Sequence, residues 1–172
     1  VIPIELSTLQ RLAEHPRILA VKDARNDLRI GTEVMATTSL AYYSGDDPVN
    51  LPWLAVGGVG FVSVIGHVVA DRLRVMIDAF EAGELDRARA INASMLPVQR
   101  AMGRVGGAVF VKTALRLRGL DVGDTRLPLP PPTDQQVRDI TVDLHTAGVA
   151  LGPDACRTAT STADAQPSGA YR

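Results

Sequence analysis

The chain has 172 residues, of which 46% are hydrophobic, and a formal net charge of −1. This length suffices for one domain of ordinary size. The balanced charge provides no basic surface of the kind that nucleic acids or anionic membranes require, and no apolar run approaches the roughly 20 residues that span a bilayer. The single cysteine, Cys156, excludes an internal disulfide framework and favours a reducing compartment, so we expect a cytoplasmic protein.

The pattern of apolar residues predicts one helix followed by three repeats of strand and helix. The first helix is expected at about residues 7–14 and ends at Pro16. The predicted strands lie at residues 18–23, 40–44 and 61–65, and the helices that follow them lie at about 27–37, 48–55 and 70–82. Because the connections are short, this order predicts parallel strands joined by right-handed crossovers.

The pattern changes after Gly83, because no further strand is predicted. Helices are expected at about 84–104, with a kink at Pro97, at 108–118 and at 133–147. A proline-stiffened connector occupies residues 126–132. The sequence from residue 152 onward is polar and small, and we predict that 152–172 is disordered.

These changes divide the chain into three predicted parts. Residues 1–83 hold the strand–helix units, residues 84–151 form a helical extension, and residues 152–172 form the tail. A sheet of three parallel strands has two open edges, and the first strand has no upstream partner in this chain. We therefore expect the first part to be a piece of a larger sheet or barrel.

The most informative stretch runs from Ile18 to Ala24, where four apolar residues lead into Lys22. A short apolar run of this kind predicts a strand buried on both faces. Lys22 would then lie at the carboxyl end of the strand, where parallel sheets bind ligands. Burial would lower the pKa of the amine, and a neutral amine can attack a carbonyl carbon to form a Schiff base. Position alone favours the simpler alternative of a solvated lysine.

A second polar turn, Gly45-Asp46-Asp47-Pro48, follows the second predicted strand and lies at the same edge of the sheet as Lys22. We expect Asp47 to cap the next helix, with Pro48 in its first turn. Gly45 is the stronger functional candidate, because a glycine allows a ligand to approach the backbone closely.

Other candidate residues have simpler explanations. The glycines at positions 58 and 60 precede a strand, so they indicate the end of a helix and not a dinucleotide site. His67 could serve as a general acid or base, but a role where a helix opens is favoured. Tyr42 and Tyr43 lie within a strand, where alternation lets only one point inward. No cluster has the spacing of a metal site, and we expect neither a metal nor another cofactor.

Several motifs together resemble the carboxyl-terminal part of the dihydrodipicolinate synthase family, which are pyruvate-dependent class I aldolases. They are Val21-Lys22-Asp23-Ala24, Ser44-Gly45-Asp46-Asp47 and the run from Gly57 to Val64. The similarity covers about residues 5–150. It implies a partial TIM (β/α)₈ barrel, of which this chain carries the last three parallel strands with their helices, plus a C-terminal helical extension.

The resemblance also implies a chemistry. Lys22 matches the Schiff-base lysine that condenses with pyruvate, Val62 matches a position whose backbone contacts bound pyruvate, and Gly45 matches a substrate-side backbone position. The intact enzyme condenses pyruvate with the aldehyde aspartate semialdehyde in the lysine (diaminopimelate) pathway, and is commonly a homotetramer.

The same resemblance sets a limit on activity. The family's threonine pair, its proton-relay tyrosine and its arginine for the aldehyde substrate belong to the amino-terminal half, so we expect this chain alone to be inactive or nearly so. Two alternatives stay open: a non-catalytic fragment, and a related aldolase acting on N-acetylneuraminate or a keto-sugar acid.

Overall fold

The computed structural model describes residues 2–153 and residue 155, which fall into two compact units that meet in sequence at Leu96 and Pro97. The first unit contains α1 (Leu6–Ala13), β1 (Ala20–Asp23), α2 (Leu28–Thr37), β2 (Ala41–Ser44), a 3₁₀ turn (Asp47–Val49), α3 (Asn50–Ala55), β3 (Gly60–Phe61), α4 (Gly66–Glu81) and α5 (Leu85–Ser94). The second contains α6 (Leu96–Val105), which starts at the boundary, α7 (Gly107–Leu117) and α8 (Asp134–Thr146). The division predicted after residue 83 stays a prediction.

The three strands form one parallel sheet, as the strand–helix repeat predicts. Their order in the sheet is β1-β2-β3. The register places Lys22 beside Tyr43, and Tyr43 beside Gly60. β1 and β3 are the outer strands of the described sheet. Because the strands are parallel, their carboxyl ends lie at one edge, where the turns that carry the candidate residues also begin.

One face of the sheet packs against helices and forms one hydrophobic core cluster of the first unit. Its buried members are Leu9, Val34, Leu40, Tyr42 and Trp53. Tyr42 is only 1% exposed, and its ring centroid lies 4.7 Å from that of Trp53. Tyr43, the next residue along the strand, lies on the opposite face by alternation and is half-buried. The prediction that only one of the two tyrosines points into this core is confirmed.

α2 approaches this core closely because residue 31 is a glycine. A Cβ at Gly31 would lie 2.2 Å from Cη2 of Trp53 and 2.8 Å from the hydroxyl of Tyr42. Real Cβ atoms do not tolerate such separations, so any larger residue would push α2 away from the sheet. The helix itself begins as expected, after Asp27, whose carboxylate accepts the amide of Ile30 at 2.9 Å.

The prediction that β1 is buried on both faces is wrong. Leu19 is 73% exposed, and Ala20 and Lys22 are also exposed, whereas Asp23 is buried. The helices of the first unit pack on the face that carries Val21 and Asp23, and the other face of β1 is open to solvent in the described residues. The apolar run indicated a strand suited to burial on both faces, but the described residues cover only one face of β1.

Two other elements differ from their predictions. The third strand covers Gly60–Phe61 instead of residues 61–65, because the amides of Val64 and Ile65 turn away to a carboxylate outside the sheet. The single helix predicted over residues 84–104 is two helices, α5 and α6. Pro97 does not kink a continuous helix but falls in the first turn of α6, where its missing N–H costs nothing.

In the second unit, an ion cluster joins α6 to α8. Asp143 is 1% exposed, and its two carboxylate oxygens each accept a side-chain nitrogen at 2.7 Å, one from Arg100 and one from Arg104. α8 begins with a capping box formed by Thr133 and Gln136. The ion cluster holds α6 against α8, and the capping box fixes the start of α8, whereas the sequence predicted these helices from periodicity alone.

The end of the chain is described only in part. The amide of Gly152 donates to the carbonyl of Leu117 at 2.8 Å, so the ordered chain reaches at least that residue. Ala155 is buried, and its amide donates to the carbonyl of Gly152 at 3.1 Å, so the prediction that disorder begins at residue 152 is wrong for these first residues. Residues 154 and 156–172 of the predicted tail, which include Cys156, lie outside the described residues. None of the described helices has the length and apolar character needed to traverse a bilayer.

Candidate active site

Lys22 lies at the carboxyl end of β1, on the open face of the sheet, with its side chain exposed. An open hollow of about 280 Å³ lies beside this strand. It is lined by residues 21–25 and Leu9, together with residues 2–4 from the start of the chain. The predicted nucleophile is therefore at the predicted edge, but the apolar enclosure that was expected around it is absent from the described part of the chain.

Gly45 is brought directly against Lys22. Its amide donates to the carbonyl of Asp23 at 2.7 Å, which extends the sheet by one bond beyond β1 and β2. A Cβ at Gly45 would lie 2.3 Å from Cε and 3.0 Å from Cδ of Lys22. Gly45 is not among the residues with positive φ, so what glycine provides here is space for the Lys22 side chain in this rotamer, and a larger residue would displace the lysine.

Val62 occupies the same edge at the third strand. Its amide donates to the carbonyl of Ser44 at 2.7 Å, and its side chain is 50% exposed. The three predicted site residues thus follow three neighbouring strands in order, with Lys22 on β1, Gly45 after β2 and Val62 after β3. Such an edge can hold a small ligand between a side-chain amine and backbone groups.

Behind Lys22, on the packed face, Asp23 anchors the end of β1. Its carboxylate accepts Arg25 Nη2 at 2.9 Å and also the hydroxyl of Tyr42. Burial opposes ionisation of Asp23, but the hydrogen bonds from Arg25 and Tyr42 outweigh it, so the pKa of this carboxyl lies below its usual range. Burial and the Asp23 acceptor raise the pKa of Tyr42, which stays a neutral donor. Sequence reasoning missed this cluster, although Asp23 and Arg25 are only two residues apart.

Arg25 extends that cluster to the first residues of the chain. Its Nη1 donates to the carbonyl of Ile4 at 2.7 Å. This bond holds the segment that forms one wall of the hollow beside Lys22. One guanidinium therefore fixes both the end of β1 and one wall of this hollow.

The prediction that Asp47 caps its own helix is wrong. Its Oδ2 accepts the amides of Val64 at 2.9 Å and Ile65 at 3.0 Å. Its Oδ1 accepts Nδ2 of Asn50 at 3.0 Å and the hydroxyl of Ser63. The carboxylate bonds the loop after β3 because the donors there, 16–18 residues further along, have no partner within that loop, whereas α3 starts from a 3₁₀ turn.

His67 stands in the first turn of α4 with its ring exposed, and its Nδ1 bonds the carbonyl of Val64 at 3.0 Å. This position agrees with the favoured role where a helix opens. Among residues 2–153 and 155, no group of three or more His, Cys, Asp or Glu side chains could hold a metal ion.

Comparison with known proteins identifies the family. Residues 1–147 match the Dihydrodipicolinate synthetase family. The 4-hydroxy-tetrahydrodipicolinate synthases of Mycolicibacterium paratuberculosis and Corynebacterium jeikeium are each 52% identical over 149 residues, which is 87% of this chain and 50% of each relative. The chain therefore spans about half the length of the curated relatives it matches.

Solved structures give the same result. The dihydrodipicolinate synthase of Cyanidioschyzon merolae with lysine bound aligns with a TM-score of 0.83 and 33% identity, over 87% of this chain and 51% of that one. A dihydrodipicolinate synthase from Bacillus anthracis aligns with a TM-score of 0.80 and 38% identity, over 84% and 50%. The resemblance and the partial TIM barrel predicted from the motifs are confirmed, and the chain belongs to the dihydrodipicolinate synthase family.

Proposed function

We propose that Lys22 is the Schiff-base nucleophile of a 4-hydroxy-tetrahydrodipicolinate synthase, and that this chain carries that half of the enzyme's site. The observation that carries the proposal is the pairing of Lys22 with Gly45, where the absence of a side chain leaves room for the lysine at the carboxyl edge of the sheet. Curated relatives at 52% identity are named for this activity, and their names favour it over the activities of related pyruvate aldolases.

The proposed chemistry begins with the amine of Lys22. Its nitrogen attacks the ketone carbon of pyruvate, the carbonyl oxygen leaves as water, and an iminium forms. Loss of a proton from the methyl group gives an enamine, whose carbon attacks the aldehyde carbon of aspartate semialdehyde. The amino group of that substrate then displaces the lysine nitrogen, which closes the ring and regenerates the free amine.

Pyruvate as the first substrate has support from a solved relative. The chloride-inhibited dihydrodipicolinate synthase of Acinetobacter baumannii, 27% identical with a TM-score of 0.78, is complexed with pyruvate. In this chain, Gly45 would leave the ketone a path to Lys22, and the backbone at Val62 would contact the bound keto acid.

The exposure of Lys22 favours a second possibility for the isolated chain, a fragment that keeps the lysine but does not turn over. Desolvation and neighbouring charge are the usual means of making a lysine nucleophilic, and this chain supplies little of either around the amine. We therefore expect little or no turnover by the chain alone.

Borohydride trapping tests the proposal. The sequence holds two lysines, Lys22 and Lys112, and the amine of Lys112 is held by the carbonyls of Val122 at 2.8 Å and Asp124 at 2.9 Å. Incubation with pyruvate and sodium borohydride should add one reduced pyruvate, and peptide mapping should assign it to Lys22, with Lys112 as the internal control. A folded chain that gains no mass, or gains it equally at both lysines, contradicts the proposal.

Assembly and compartment stay predictions. The family resemblance supports a homo-oligomer, a tetramer in the intact enzyme, and sedimentation of the full-length protein would test it. A monomer at micromolar concentration would contradict this expectation. Cytoplasmic localisation, expected from the single cysteine and the biosynthetic role, is tested by fractionating cells that express the intact protein.

A further inference from the structure

One carboxylate at the proposed site is more deeply buried than the lysine itself. Asp47 is 2% exposed, yet it lies two residues after Gly45 at the functional edge of the sheet. A buried carboxylate is costly unless donors surround it. The donors that Asp47 receives include two backbone amides, a hydroxyl and a side-chain amide.

Most of these donors come from the loop that follows β3. The amides of Val64 and Ile65 point at Oδ2, and the hydroxyl of Ser63 points at Oδ1. Ser63 Oγ in turn accepts the amide of Gly66 at 2.8 Å, which is the first residue of α4. The loop therefore wraps around a negative charge placed beside the first turn of α4, and a kink at Val69 separates this turn from the rest of the helix.

This arrangement fixes the backbone of Val62 from both sides. On one side, the Val62 amide donates to the carbonyl of Ser44 at 2.7 Å and continues the sheet. On the other side, the next three residues are all held by Asp47. The peptide between Val62 and Ser63, which carries the Val62 carbonyl, lies between the two anchors and has little freedom to rotate.

We propose that Asp47 is a positioning residue for the pyruvate subsite, because its carboxylate sets the Val62–Ile65 loop and so orients the Val62 backbone toward the ligand of Lys22. This inference rests on the proposed function of Lys22 and Val62. Asp47 does not touch the reacting atoms; it acts through the loop. Its effect is on how tightly pyruvate is held, and not on the intrinsic reactivity of the amine.

The matched variants are Asp47→Asn, Ser63→Ala and Asp71→Asn. Asp47→Asn keeps the size of the side chain but turns one acceptor into a donor, so the backbone amides or the pair of Ser63 and Asn50 lose their partner. Ser63→Ala removes one donor to Asp47 together with the acceptor of the Gly66 amide, and it is the variant to measure if Asp47→Asn does not fold. Asp71 is an exposed carboxylate on α4, and its variant controls for loss of charge.

The experiment measures trapping of Lys22 by pyruvate and borohydride over a range of pyruvate concentrations, on variants shown by circular dichroism to be folded. Asp47→Asn should raise the half-saturating pyruvate concentration about tenfold, which corresponds to one hydrogen bond to a charged group. The extent of labelling at saturating pyruvate should stay within about twofold of the parent. Ser63→Ala should give a smaller rise of about threefold, and Asp71→Asn none.

The outcomes separate this inference from the proposed function. Suppose that Lys22 is labelled in the parent chain, and that Asp47→Asn and Ser63→Ala have the same half-saturating pyruvate concentration as the parent. The inference is then overturned and the role of Lys22 stands. If the variants lose labelling at saturation without a change in half-saturation, Asp47 has only a structural role and the inference is likewise overturned. If the parent does not label at all, both the proposed function and the inference fail.

Discussion

The two faces of the small sheet differ sharply although they are built from alternate residues of the same strands. One face holds Tyr42 and Asp23 in a packed, hydrogen-bonded interior, and the other carries Lys22 in the open. The packed face gives the strand ends their position, whereas the open face carries the proposed nucleophile. If that proposal holds, stability and chemistry depend on opposite sides of one layer, and substitutions on the two sides should have separable effects.

The largest separation is expected from Lys22→Ala. Removal of the amine should abolish trapping of pyruvate, and the free energy of unfolding should change by less than about 0.5 kcal/mol, because the side chain is exposed. Mass spectrometry and urea denaturation measure the two effects. Lys112→Ala is the control and should keep full labelling. Trapping that persists in Lys22→Ala would remove the open face from the chemistry.

Gly31→Ala should produce the opposite result. The new methyl group would collide with Trp53 and Tyr42, and overpacking of this kind costs about 2–3 kcal/mol of unfolding free energy. Gly103→Ala is the matched control, because Gly103 is also helical but no atom lies within 4 Å of the position its Cβ would take. Alanine favours the helix more than glycine does, so this variant should be slightly more stable than the parent. Equal effects of the two changes on urea denaturation would mean that α2 does not pack as tightly as described.

Gly45→Ala tests the close contact between residue 45, at the carboxyl edge of the sheet, and the side chain of Lys22. The added methyl group would stand 2.3 Å from Cε of Lys22, so the lysine must move away. We expect the trapping rate at fixed pyruvate to fall about tenfold, equivalent to about 1.4 kcal/mol, with a smaller change in stability. Unchanged trapping would show that the lysine reaches pyruvate from another rotamer.

Tyr42→Phe should have the smallest effect, a loss of about 1 kcal/mol of unfolding free energy at neutral pH, because Asp23 loses one donor. Since the pKa of Asp23 is depressed in the folded state, its ionised form stabilises the fold above about pH 4, and this contribution is lost as the pH falls further. The gap between parent and variant should therefore narrow in acid.

Tyr43→Phe, on the other face, serves as the control for that change and should lie within about 0.5 kcal/mol of the parent throughout. Urea denaturation at several pH values measures both variants. A gap for Tyr42→Phe that widens below pH 4 would contradict the assigned hydrogen bond to ionised Asp23.

Periodicity and turn residues sufficed to predict the parallel strands, most of the helices and the edge at which Lys22 and Gly45 meet. The burial of β1 could not be predicted in the same way. An apolar run such as Ile18–Val21 records what the strand is suited to pack against, and not which neighbours are present. The exposed Ala20 and Lys22, on the uncovered face of β1, show the difference.

The polar clusters were beyond sequence reasoning for another reason. Tyr42 bonds Asp23 across 19 positions, and Asp47 bonds Ile65 across 18. Each carboxylate had a plausible local use, as a strand-end charge or a helix cap, and local rules rank such uses first. Only the register of the sheet brings the distant donors within reach.

The outer position of β1 has a consequence for the behaviour of the chain at high concentration. An uncovered strand can accept a strand from another molecule and so begin a growing assembly. Here that strand is four residues long and carries an exposed lysine, two features that discourage such growth. The side chain proposed to capture a keto acid would in this way also help to keep neighbouring copies apart.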